Sequence, residues 1–149
     1  MLAFFANYPL LSALASIVLA QVIKVPLYWF TNKKWDLLRS ISTGGMPSSH
    51  SAGVSALATA VGISDGFSSS VFAVAAMVSV ITMYDAAGIR RHAGIHAKLL
   101  NRILKSQSAR ASDKRDPVVL KEMLGHRPIE VVTGAIFGGI VSILLHLLI

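Results

Sequence analysis

What most constrains this chain is its supply of long apolar stretches that carry few charges. Four stand out, from about Tyr8 to Phe30 (YPLLSALASIVLAQVIKVPLYWF), Ser51 to Ile63, Phe67 to Ile89 and Ile129 to Ile149 (IEVVTGAIFGGIVSILLHLLI). A helix needs roughly 20 apolar residues to cross the hydrocarbon core of a bilayer. The second stretch is short and rich in Ala, Gly and Ser. Lipid offers no hydrogen-bonding partner to exposed peptide groups, so all four read as helices. The expectation is an all-α integral membrane bundle of about four transmembrane helices, one domain over residues 1–149. In the last span, Gly134, Ala135 and Gly138 would let neighbouring helices approach closely.

Composition agrees: 54% of residues are hydrophobic and only 14% are charged. Phe and Trp are few, so Ala, Val, Ile and Leu carry the apolarity, as in membrane helices. No basic region precedes the first apolar run, so a cleaved signal peptide is not expected. With no cysteine, disulfides, thiolate metal sites and a cysteine nucleophile are excluded.

The net charge of +7 points to anionic lipid head groups as partners rather than nucleic acid. Lys33, Lys34 and Arg39 follow the first span, and most remaining cations follow the third. The link SDG between the second and third carries only Asp65. These basic connections are expected on the cytoplasmic side, with both termini opposite. Within the long polar connection, HAKLLNRILKS places Leu99, Leu100, Ile103 and Leu104 on one helical face and basic residues on the other. That pattern suits an amphipathic helix in the head-group plane. SARASDKRDP then reads as a solvated loop and VVLKEMLG as one short helix.

With alternating span direction, the polar groups at the span ends converge on one membrane face. Lys24 lies near the basic end of the first span. Ser48, Ser49 and His50 open the second, Asp85, Arg90 and Arg91 close the third, and His126 and Glu130 open the fourth. Ionisable groups at membrane depth cost at least ~2.5 kcal/mol each, which makes them functional candidates. In GGMPSSH, Ser48 can cap a helix whose first N–H groups and positive dipole end bind phosphate. His50 could there give a proton to a leaving oxygen. In GHRPIEV, Glu130 stands four residues after His126, able to fix its tautomer and leave the other ring nitrogen nucleophilic. Arg90 and Arg91 suit a helix C-terminus and also match phosphate oxygens. His92 and His96 share helical spacing, but no carboxylate completes a metal set.

MPSSHSA, DAAGIRRHAG and LGHRPIEVVTGAIFG, taken in that order, resemble the divergent, small-membrane-protein branch of the type 2 phosphatidic acid phosphatase superfamily, which includes the vanadium haloperoxidases. The resemblance runs from about Lys24 to Gly139. It matches Lys24 to the lysine of the first motif, though Thr31 and Asn32 stand where Arg-Pro follows, leaving Arg39 as a substitute. Pro47, Ser48, Ser49 and His50 match Pro-Ser-Gly-His; His126 and Glu130 match the His-x-x-x-acid half of the third motif. Leu120 occupies the place of that motif's arginine, so Arg90 or Arg91 would have to reach the phosphate.

What the resemblance implies is a metal-independent, cofactor-free phosphatase acting on a membrane lipid phosphomonoester of the phosphatidylglycerophosphate or phosphatidic acid type. His126 would attack phosphorus to form a phosphohistidine, and His50 would protonate the departing alcohol. Lys24, Arg39, Arg90, Arg91 and the N–H groups from Ser48 to His50 would hold the phosphate. The superfamily core usually has more spans, so a homodimer would complete the fold. The expected setting is a bacterial plasma membrane, with the site at the cytoplasmic face. Two other classes remain: an inactive scaffold or lipid-binding protein, and an anion transporter component. A transporter needs polar groups along a whole path, whereas here they stop at one face.

Overall fold

A computed structural model describes residues 7–33, 45–108, 119, 120, 122 and 125–149. Among these the chain is all helical: α1 (Tyr8–Asn32), α2 (Ser49–Asp65), α3 (Ser70–Ala87), α4 (Ile89–Ser108) and α5 (Pro128–Leu148). The helix ends have local causes. Asn7, Ser48 and Ser69 each accept a first-turn N–H on a side-chain oxygen, from Leu10 (3.0 Å), Ser51 (3.3 Å) and Phe72 (3.1 Å), the usual role of an N-cap. Pro128 opens α5, where its missing N–H costs nothing. Lys33, at φ 56°, closes α1 by donating its N–H to the Trp29 carbonyl at 2.8 Å, and Gly66 at φ 89° follows α2. Residues 34–44, which include Arg39, and all of the expected loop at 108–117 but Ser108, which ends α4, lie outside the described residues.

The helix expected as VVLKEMLG does not form where it is described, since Val119, Leu120 and Glu122 are not helical. The side chain of Asn101 takes both backbone groups of Leu120, accepting its N–H at 2.9 Å and donating to its carbonyl at 2.8 Å. Those groups are thereby lost to a helical ladder. The amphipathic helix is longer than expected, because α4 starts at Ile89, directly after the break at Gly88.

Three helical stretches are long and apolar enough to cross a membrane: Tyr8–Phe30, Ser70–Ser106 and Pro128–Leu148. The second of the four expected spans, α2, has 17 residues and does not reach that length. Its place in the bundle explains its composition. α1, α3 and α5 all pack on α2, and no residue from 51 to 63 is exposed. A helix shielded on every side needs small residues for close approach rather than an apolar coat. Ala52, Ala56 and Ala60 supply them, each fully buried. By contrast α3 turns Val71, Val74, Met77, Val80 and Ile81 outward, a surface suited to acyl chains.

Helices in lipid gain little from apolar burial against one another, so close packing and interhelical hydrogen bonds must hold them. Both occur here. A Cβ on Gly138 would strike the Ala52 carbonyl, and one on Gly134 would strike the Ser48 carbonyl, so α5 crosses α2 at backbone contact. Ser55 Oγ donates to the Ala135 carbonyl at 2.8 Å, Ser79 Oγ to the Val54 carbonyl at 2.7 Å, and Tyr8 Oη to the Ser142 carbonyl at 2.9 Å. Each such bond contributes about 0.6 kcal/mol in membrane bundles.

Candidate active site

The start of α5 is built around His126. Its backbone N–H donates to the Ala86 carbonyl at the end of α3, at 3.0 Å. The preceding residue, Gly125, has φ +79° and lies so close to the Arg90–Arg91 backbone that a Cβ would collide with it. Only glycine combines that backbone angle with that contact. Gly125→Ala is therefore expected to push His126 away from α3. The change should show as a lowered Tm together with loss of whatever reaction the imidazole supports, whereas Gly45→Ala, at φ +93° but with open space, carries the backbone strain without the collision and should lower Tm less.

His126 is only 4% exposed. Its Nδ1 meets Glu130 Oε2 at 3.1 Å. A carboxylate that accepts from Nδ1 leaves Nε2 as the ring nitrogen turned to the site, and in the neutral ring that nitrogen carries the lone pair. The same Oε2 accepts the Arg127 N–H at 3.1 Å, which holds the carboxylate against the first turn of α5.

Glu130 also reaches the other half of the site through its backbone. Its carbonyl accepts the Ser48 N–H at 3.0 Å, tying the start of α2 to the start of α5. This corrects one expectation. The Ser48 N–H is spent on the fold and is not an anion donor; the N–H groups of Ser49 and His50 find no acceptor among the described residues. They belong to the first turn of α2, whose positive end favours anions. The two imidazoles that open α2 and α5 stand with ring centroids 6.4 Å apart, His50 exposed and His126 buried.

Cations surround this pair. Lys24 is 4% exposed on α1, within Coulombic reach of Glu130 and of His50. Arg90 also acts on His50 while its Nε donates to Asp85 Oδ2 at 2.6 Å. Asp85 thus anchors the guanidinium, which keeps four more N–H donors on its terminal nitrogens. Arg91 is exposed like Arg90 but differs in that its side chain makes no hydrogen bond or ion pair among the described residues; its backbone packs against Gly125. Ser49 is buried at the α2 start, and Arg39 falls outside the described residues. The structure therefore gathers His50, His126, Glu130, Lys24, Ser48, Ser49 and Arg90, and leaves Arg91 at the rim. No three His, Cys, Asp or Glu side chains cluster as metal ligands among the described residues.

Sequence reasoning missed Asn101 and Gly125. The asparagine is 3% exposed and grips the segment that leads to His126. Its one signal was a polar amide set between Leu100 and Ile103 in an otherwise amphipathic helix. Gly125 was signalled only by standing immediately before the histidine.

A multi-helix membrane protein with two imidazoles, a carboxylate, a buried lysine and an exposed arginine gathered at one end defines the class. The chain belongs to the divergent PAP2 family, whose sequence profile matches residues 5–141. It is 49% identical over 150 residues to the uncharacterized membrane protein YuiD of Bacillus subtilis (strain 168), covering 95% of this chain and 92% of that protein. No solved structure matches the chain.

Proposed function

We propose that this protein is a metal-independent phosphatase acting on a membrane lipid phosphomonoester. The observation that carries this reading is the oriented His126–Glu130 pair standing 6.4 Å from His50. Rings that close can both reach one phosphate set across their edges, with His126 Nε2 at an attack distance of about 3–3.5 Å and His50 within a hydrogen bond of the departing oxygen.

In the first step His126 Nε2 attacks phosphorus in line, the bond from phosphorus to the lipid oxygen breaks, and protonated His50 gives its proton to that oxygen. The lipid alcohol leaves and His126 carries the phosphoryl group. In the second step His50, now neutral, takes a proton from water as its oxygen attacks phosphorus; the N–P bond breaks and inorganic phosphate departs. Glu130 holds the Nδ1 hydrogen throughout and offsets the charge that grows on the His126 ring. Lys24, the terminal nitrogens of Arg90 and the N–H groups of Ser49 and His50 stabilise the equatorial oxygens. Fixed charge and donors of this kind dominate phosphoryl-transfer catalysis.

A lipid of the phosphatidylglycerophosphate or phosphatidic acid type fits a site at the end of a lipid-embedded bundle. The basic flanks of that end suit the cytoplasmic leaflet of a bacterial plasma membrane. The test is phosphate release from a panel of lipid phosphates by detergent-purified protein, with EDTA and then with vanadate. Turnover that survives EDTA and is blocked by vanadate is expected. Turnover that needs Mg²⁺ and ignores vanadate overturns the histidine mechanism, and no release from any lipid phosphate leaves a lipid-binding protein instead.

A further inference from the structure

α3 and α4 together form a 37-residue stretch, Ser70–Ser106. At 1.5 Å per residue a straight helix of that length would span roughly 55 Å, nearly twice the hydrocarbon core. Something must lie outside, and Gly88 marks where. Its φ −103° and ψ −87° are not helical, and its N–H closes α3 on the Tyr84 carbonyl at 2.8 Å.

Beyond that break the side chains change character. α3 is apolar around its outer surface, whereas α4 has two unlike sides and no acidic residue. Arg91, Lys98, Arg102 and Lys105 recur along one flank and are exposed. Leu99, Leu100 and Ile103, each about half exposed, line another. Tyr84, His92 and His96 border a groove at the α3–α4 junction, polar-tipped rings of a kind that suits the head-group zone. The third side is buried: Gly94, Ala97 and Asn101. Asn101 there bonds both backbone groups of Leu120 and donates to Glu122 Oε1 at 2.8 Å.

We infer that α4 docks on the anionic surface of the bilayer its own neighbours cross, and that through Asn101 this docking steadies the segment that carries His126. The occupant of the apolar side follows from charge and continuity. A helix that starts where a span ends and bears cations without acids is complementary to negatively charged head groups, with its leucines in the acyl boundary. If α4 pointed into water, the Leu99–Leu100–Ile103 face would be left hydrated. The inference rests on the proposed phosphatase only for its consequence, since the docking itself can be read without turnover.

The natural chain has no cysteine, so single cysteines at Leu99, Ile103, Lys98 or Arg102 take an environment-sensitive dye cleanly. The full chain is placed in nanodiscs of phosphatidylcholine alone or mixed with phosphatidylglycerol, one chain per disc. Dyes at Leu99 and Ile103 should shift to the blue on adding phosphatidylglycerol and return toward the red in high salt, while those at Lys98 and Arg102 stay in water. Replacing Lys98, Arg102 and Lys105 together by Gln should lower the docking equilibrium roughly a hundredfold. Asn101→Leu should keep the dye response yet release the Leu120 amide to faster exchange. Dyes at Leu99 and Ile103 that remain in water, or whose burial ignores lipid charge and salt, overturn the inference. So does burial that appears only with two chains per disc, which would assign the face to a second copy. If the dyes behave as expected and no lipid phosphate is hydrolysed, the docking stands and the phosphatase reading falls.

Discussion

His126→Ala should abolish phosphate release altogether, because the attacking atom is gone. His50→Ala should cut it by about 10²–10⁴-fold, the usual loss for one positioned acid. The two variants separate the roles further when the leaving group is changed. A substrate such as p-nitrophenyl phosphate departs without a proton, so His50→Ala should recover much of its first step on it and accumulate phosphohistidine. His126→Ala should stay silent on both substrates. Glu130→Gln keeps the shape of the first turn but loses the charge that orients Nδ1, and should fall between them. Full turnover by His126→Ala would remove the assignment. The readout is single-turnover phosphate release, combined with acid-labile label on the protein.

Gly138→Val should be the most damaging change far from the imidazoles. Its Cβ would occupy the place of the Ala52 carbonyl oxygen, a backbone atom that no rotamer change can move. The α2–α5 crossing must open, and overpacking of this kind costs typically 1–3 kcal/mol or more, so we expect about 3. For a chain of this length that lowers Tm by roughly 6–12 °C. Gly139→Ala is the matched control, since its nearest neighbour would be Thr59 Oγ1 at 3.7 Å, and Tm should hardly move. Equal melting of the two variants would contradict the close crossing. Because the Ser48–Glu130 bond lies one and two turns along the same contact, Gly138→Val should also lose activity at temperatures where it is still folded.

Much of this architecture is written in hydropathy. The outer helices α1, α3 and α5 face lipid, so their apolarity reports them directly, and the caps Asn7 and Ser69 and the opening Pro128 stand at the edges of the runs. Gly134 and Gly138 announced the crossing because in a membrane small residues at helical spacing have few other uses. The length of α2 was less legible, since a helix that touches only protein need not be apolar, and its ends lie in Ser-rich sequence. At Leu120 the sequence misled for a different reason. Its local pattern favours a helix, but Asn101, some twenty residues away, takes the Leu120 backbone groups first, and no local signal carries a distant side chain's claim.

The site divides along the same line. His126 and Glu130 are four residues apart, so their bond follows from helical geometry alone. That His50 would stand beside them required the alternation of spans to bring three helix ends together. The use of the Ser48 N–H by Glu130 was invisible, because a first-turn N–H looks equally ready for an anion or for a neighbouring carbonyl. Arg90 and Arg91 are indistinguishable as neighbours in a string. Asp85, one helical turn and a residue before Arg90, decides between them by anchoring the first.

The enclosure of α2 has a consequence for the membrane in which the protein works. Bilayers differ in thickness, and a span that meets lipid answers by tilting or stretching its surroundings. The helix that bears His50 touches almost no lipid, so acyl-chain length can pull on the three outer helices while reaching that histidine only through their contacts with it.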